Sequence, residues 1–124
     1  MLNLMIVDDS NIIRRRIERI QEYSNRFKIV ATASNGMDAV DMFKRSRPDV
    51  ITMDLTMPEM DGIECIEHIV AIDPEVDILV VSALSDKATG IEALEKGARG
   101  FLCKPFTEKE LLEALEELTE DTHV

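Results

Sequence analysis

Short β-branched apolar runs recur along the chain, each followed by a segment in which apolar residues return every three or four positions. The runs Leu4–Val7, Ile29–Ala33, Val50–Met53, Ile78–Val81 and Gly100–Cys103 predict strands. After them come helical faces: Ile13, Ile17 and Ile20, then Val40 with Phe43, then Ile63, Ile66 and Val70, then Ile91, Leu94 and Ala98, and last Leu111, Leu115 and Leu118. The chain therefore divides into five strand-then-helix units.

Local punctuation agrees with that division. Asp61 with Glu64 and Thr107 with Glu110 have capping-box spacing, and Gly97 sits where the fourth helix should end. The first, third and fourth runs are almost continuously apolar, as parallel strands covered on both faces require. Alternating strand–helix units joined by right-handed crossovers predict an α/β fold, a doubly wound (βα)5 sandwich with a five-stranded parallel sheet. No repeat, low-complexity stretch or linker interrupts it, so residues 1–124 are expected to form a single domain with no effector domain.

Composition narrows the function. The chain is 45% apolar and 31% charged, a globular profile, and its net charge of -11 argues against binding a phosphate backbone, which needs Lys and Arg. The apolar start at residues 2–7 is too short for a signal peptide or a membrane span, so a cytoplasmic location without membrane insertion is expected. Cys65 and Cys103 lack metal-ligand spacing and are expected to be small buried hydrophobes. His68 and His123 read as solvated side chains.

The chemistry lies at the ends of the strands. In a doubly wound sheet the ligand crevice opens beyond the carboxyl ends of the strands. The residues there are Asp8 and Asp9, then Asp54, Ser82 and Lys104. Each has an ordinary reading: Asp9 or Ser10 as a helix cap, Ser82 as a strand terminator, Lys104 as a turn lysine. Together they mean more, because three carboxylates held close raise one another's pKa unless a cation shares them. Oxygen donors without His or Cys select a hard ion, and a few carboxylates completed by water suit Mg²⁺ better than Ca²⁺. That combination points to phosphoryl chemistry, with Lys104 as a point charge and Ser82 as a hydroxyl donor. No glycine-rich loop follows the first strand, which disfavours a bound nucleotide or flavin. A carboxylate nucleophile giving an aspartyl phosphate fits, with Asp54 as the candidate.

At these residues the chain resembles the receiver domain of two-component response regulators. The matching motifs are VDDS (residues 7–10), DLTMPEMDG (54–62), VVSA (80–83) and FLCKPF (101–106), in order at strand ends. The resemblance implies a flavodoxin/CheY-like sheet order of 2-1-3-4-5. It implies that Asp54 accepts a phosphoryl group from the phosphohistidine of a histidine kinase. Asp9 would bind Mg²⁺ directly and Asp8 largely through water, with Asp54 and the Thr56 backbone carbonyl completing the protein's share and Mn²⁺ able to substitute. Lys104 and Ser82 would contact the phosphate, and Lys104-Pro105 would be a cis peptide. Ser82 and Phe101 would act as the switch, displaying the change on the face built by the fourth helix, fifth strand and fifth helix, where a target protein binds. Phe101 lacks the polar tip that Tyr or His provides in many relatives.

The same resemblance makes Thr56 and Leu84 the positions that tune phosphate lifetime; apolar Leu84 should shield the acyl phosphate from water. Helix one carries Arg14, Arg15, Arg16 and Arg19, either a solvated face or a kinase-docking surface. The expected protein is a stand-alone, CheY-like signalling protein rather than an enzyme, monomeric before phosphorylation, with chemotaxis as a common setting. Alternatives are a phosphorelay shuttle to a histidine phosphotransfer domain, a receiver cut from a longer regulator, and a Mg²⁺-dependent phosphohydrolase. The last would want an acid where Thr56 stands.

Overall fold

The central strands bury both faces, and this fixes everything around them. In the computed structural model, which describes residues 1–83 and 87–120, the strands are β1 (Leu2–Val7), β2 (Phe27–Ala33), β3 (Val50–Met53), β4 (Asp77–Ser82) and β5 (Gly100–Cys103). They pair in parallel in the order β2-β1-β3-β4-β5, as expected. The helices are α1 (Asn11–Glu18), α2 (Ile20–Tyr23), α3 (Gly36–Ser46), α4 (Gly62–Ile72), α5 (Lys87–Glu95) and α6 (Glu108–Leu118). The first expected helix is thus broken at Arg19 into two pieces, and Ile20 starts the second.

Successive residues of each strand point to opposite faces, so one sheet supports two cores. Met5, Val7, Ile51, Met53, Ile78 and Val80 pack against Ala39 and Phe43 of α3, Ile66 and Ile69 of α4, and Ala93 of α5. Leu4, Ile6, Val50, Leu79 and Val81 pack against Ile17, Ile20, Leu111 and Leu115 on the other side. Each fully buried side chain of this size contributes about 1.5–3 kcal/mol.

The helix ends follow local chemistry. Ser10 Oγ accepts the Ile13 N–H at 3.2 Å, so the ordinary capping reading of Ser10 holds. Thr107 and Glu110 form the full reciprocal box. Asp61 forms only half of one: its carboxylate accepts the Glu64 N–H at 3.0 Å, while the Glu64 carboxylate lies 3.9 Å from His68 on the exposed face. Gly97 has φ +125, and the bonds Ala98 N–H to Ala93 carbonyl and Gly97 N–H to Leu94 carbonyl close α5 in a Schellman motif.

Two expectations are corrected. Ile91 and Leu94 are 57% and 47% exposed, although their spacing suggested a core face. The inward side of α5 is instead its small residues. Ala93 is fully buried, and a Cβ on Gly90 would stand 3.4 Å from the Phe101 ring. This close packing turns the large residues outward. Cys103 is exposed rather than buried, because β5 is an edge strand whose residues alternate, whereas Cys65 is buried as expected and burial pushes its thiol up to about 12. Leu84 and His123 lie outside the described residues. Among the described residues, no helix is long and apolar enough to cross a membrane.

Candidate functional site

The strand ladders run one residue beyond the strands and pin the candidate residues. The Asp8 N–H bonds the Ala33 carbonyl at 3.1 Å, Asp54 N–H bonds Val7 carbonyl at 2.9 Å, and Lys104 N–H bonds Ser82 carbonyl at 3.0 Å. These bonds bring the ends of β1, β3, β4 and β5 to one edge. Asp8, Asp9 and Asp54 each offer a carboxylate oxygen there, all within 4.8 Å of one another. Asp8 and Asp54 are buried, while Asp9 is exposed and faces the solvent side of the cluster.

Lys104 spans the acids, its Nζ 2.8 Å from Asp8 Oδ2 and 3.7 Å from Asp54 Oδ1. Asp8 Oδ1 accepts the Ser10 N–H at 2.9 Å, and its sealed Oδ2 is the oxygen that faces the Lys104 ammonium. Asp54 is pushed up from its ordinary value of 3.8 to about 6, first by burial and then by the Asp8 charge. Lys104 and the Thr56 N–H, 3.4 Å from Asp54 Oδ1, pull the other way, and Asp9 adds a smaller push upward.

One ammonium cannot balance three carboxylates. The cluster carries two surplus negative charges when all three acids are ionised, which is the charge of one divalent cation. The donor set fits Mg²⁺: every protein ligand is oxygen, and exposed Asp9 leaves room for the waters this ion retains. Thr56 is exposed beside Asp54. Ser82 is buried and stands in register with Cys103, next to Lys104. The Lys104-Pro105 bond is cis. Phe101 is set apart from this group, 38% exposed with its ring against Gly90.

Sequence reasoning missed two supports of the site. Arg14 Nη1 donates to the Asp8 carbonyl at 2.6 Å, which fixes the acid loop from the helix that follows it. Gly62 begins α4 directly against Asp54: a Cβ there would lie 2.3 Å from the Asp54 carbonyl oxygen, while its N–H bonds the Leu55 carbonyl at 2.9 Å. The signal for Gly62 was available, since a glycine at the first position of an amphipathic helix marks a close backbone approach. Of the four arginines in α1 and at its end, Arg14 and Arg16 are engaged within the fold, and Arg19 lies within 4.0 Å of Glu22 and Glu108.

Comparison with known proteins agrees with this geometry. The family model for the response regulator receiver domain matches residues 4–116. The chemotaxis protein CheY of Listeria monocytogenes serovar 1/2a is 43% identical over 116 residues, covering 94% of this chain and 97% of that protein. CheY of Thermotoga maritima is 40% identical over 116 residues, covering 94% and 96%. Among solved structures, the CheX-CheY-BeF3-Mg+2 complex from Borrelia burgdorferi matches with a TM-score of 0.89 at 33% identity, covering 94% of this chain and 88% of that one. With five parallel strands in receiver order and an aspartate cluster at their carboxyl ends, this chain belongs to the response-regulator receiver family and is CheY-like within it.

Proposed function

We propose that Asp54 is the phosphoacceptor. Its carboxylate attacks the phosphorus of a kinase phosphohistidine; the P–N bond breaks, an aspartyl P–O bond forms, and the imidazole leaves. Asp9, Asp54 and the Thr56 carbonyl would hold Mg²⁺, or Mn²⁺ in its place, with Asp8 acting largely through water. When bound, that ion neutralises charge on the phosphoryl oxygens. Lys104 already reaches across Asp8 and Asp54 and supplies the second positive charge, while the Ser82 hydroxyl moves to donate to a phosphoryl oxygen. The observation that carries this reading is the pair of surplus negative charges at the strand ends, gathered around a buried acid whose proton affinity is raised.

Output follows from the movement of Ser82 and Phe101. Phe101, Ile91 and Leu94 expose apolar surface on β5 and α5, which supports a target protein docking on the α5-β5-α6 face. The Borrelia CheY complex contains CheX. By likeness, we read this chain as a cytoplasmic, stand-alone regulator of the chemotaxis type, monomeric before phosphorylation. Its chemistry is confined to its own phosphorylation and dephosphorylation, so it signals and is not an enzyme acting on a separate substrate. Incubation with acetyl phosphate, with and without Mg²⁺, followed by intact mass measurement tests the core of this reading. One phosphoryl group should be gained only with Mg²⁺ and only when Asp54 is present; a gain in the Asp54→Asn protein would refute the assignment.

A further inference from the structure

Helix α1 reaches both sides of the acid cluster through arginines. Arg14 holds the Asp8 carbonyl, as described, and its Nη2 donates to Asn11 Oδ1. Two residues on, Arg16 crosses to the loop between β5 and α6. Its Nη2 donates to the Phe106 carbonyl at 2.7 Å, and its guanidinium carbon stands 5.1 Å from the centroid of the Phe106 ring. Phe106 is itself buried.

Besides the core packing of Phe106 and the Lys104 ion contacts, the loop is held by few hydrogen bonds. Lys104 N–H is held by the Ser82 carbonyl, and Thr107 N–H enters the α6 capping box at 2.9 Å. Between them lie Pro105, which has no N–H, and Phe106. Among the described residues, the side-chain hydrogen bond tying this stretch to the rest of the fold comes from Arg16. Arg16 is half-buried, and its guanidinium is given to a neutral carbonyl, with no ion pair among the described residues to offset the hydration it loses. What it gains is a fixed loop: a charge-assisted hydrogen bond and a stacked ring acting on one residue.

We propose that Arg16 is a positioning residue for phosphoryl transfer, holding Phe106 so that Lys104 keeps its reach across Asp8 and Asp54. The inference rests on the roles proposed above for Asp54 and Lys104. Lysine acts here by placement, and a displacement of about 1 Å in such a site costs on the order of a hundredfold in rate. Among the described residues Arg16 forms no ion pair with a carboxylate, so metal affinity should be spared.

The test measures acetyl phosphate uptake by intact mass and Mg²⁺ affinity by calorimetry in the wild type, Arg16→Leu, Arg16→Lys, Lys104→Ala and the Arg16→Leu/Lys104→Ala double variant. Arg16→Leu should slow uptake by about tenfold or more, with the Mg²⁺ dissociation constant within about twofold of wild type. Arg16→Lys, which keeps a donor but loses the planar fork, should fall between them. In the Lys104→Ala background the Arg16 change should have no further effect, because its action passes through Lys104. The same slowing in that background, an equal loss of Mg²⁺ affinity, or unchanged uptake would overturn the inference while leaving Asp54 as acceptor. If Arg16→Leu does not fold, Arg16→Lys carries the same comparisons. No uptake by the wild type would overturn the reading of Asp54 and this inference with it.

Discussion

Replacing Asp54 with Asn should make the metal-free protein more stable, although it removes the central residue of the site. Buried Asp54 titrates at about 6 instead of 3.8, so its ionised form is disfavoured in the folded chain, chiefly by desolvation and the Asp8 charge. A raised carboxyl pKa costs nothing below its ordinary value, where both folded and unfolded chains hold the proton. The cost grows as pH rises from 3.8 and is complete above about 6. At about 1.4 kcal/mol per tenfold change in proton affinity, the full cost is about 3 kcal/mol, falling to about 1 kcal/mol near pH 4.5. An Asn side chain carries no charge but still has an amide to desolvate, so the measured gain should be about 1–3 kcal/mol.

Urea unfolding of wild type and Asp54→Asn in EDTA, at about pH 7.5 and about pH 4.5, measures this difference directly. Acids outside the Asp8–Asp9–Asp54 cluster titrate alike in both proteins and cancel. The variant should be the more stable at the higher pH, with the gap shrinking at the lower one. Mg²⁺ at the higher pH should narrow the gap from the other side, because the ion stabilises the three-acid cluster in proportion to its affinity. A variant no more stable than wild type in EDTA, or a gap that ignores pH, would refute the electrostatic account of the cluster.

Gly62→Ala should lose more than about 2 kcal/mol in denaturant unfolding and also slow phosphoryl uptake, since the new Cβ would strike the Asp54 carbonyl oxygen at 2.3 Å and force α4 or Asp54 to shift. Wild-type uptake in this variant would show that the backbone there can yield without moving the site. Thr107→Ala should cost about 1 kcal/mol through loss of the α6 cap, read as a lowered melting temperature, with little change in Mg²⁺ affinity. Arg15→Glu with Arg19→Glu reverses charge on two exposed residues of the α1 region; phosphotransfer from a histidine kinase should slow by on the order of tenfold while acetyl phosphate uptake is unchanged. Equal losses with both donors would count against docking through this helix.

How legible each feature was in the sequence depends on where it lies relative to the sheet. β3 and β5 fall on the residues that the apolar pattern marked, and β1, β2 and β4 extend the marked runs by one to two residues. Asp8, Asp54 and Lys104 could be found for the same reason. The ladder places the first residue after each apolar run at the crevice, so a strand boundary is also a site coordinate. Arg14 and Arg16 carried no comparable signal, because their partners are backbone carbonyls, and in the case of Arg16 the partner is 90 residues away. The errors gather at the β5 edge. Cys103 was expected inside and is exposed; Ile91 and Leu94 were expected against the core and point out, while the smaller Gly90 and Ala93 make the contact. A periodic pattern reports that a face is apolar and says nothing about what covers it. In the interior strands the only cover is the fold itself, and the pattern is sufficient. At an edge with no sixth strand among the described residues, large apolar residues also suit the surface of a second protein, and small ones allow the helix to pack closely. The face that misled the sequence reading is thus the one on which the output proposal rests.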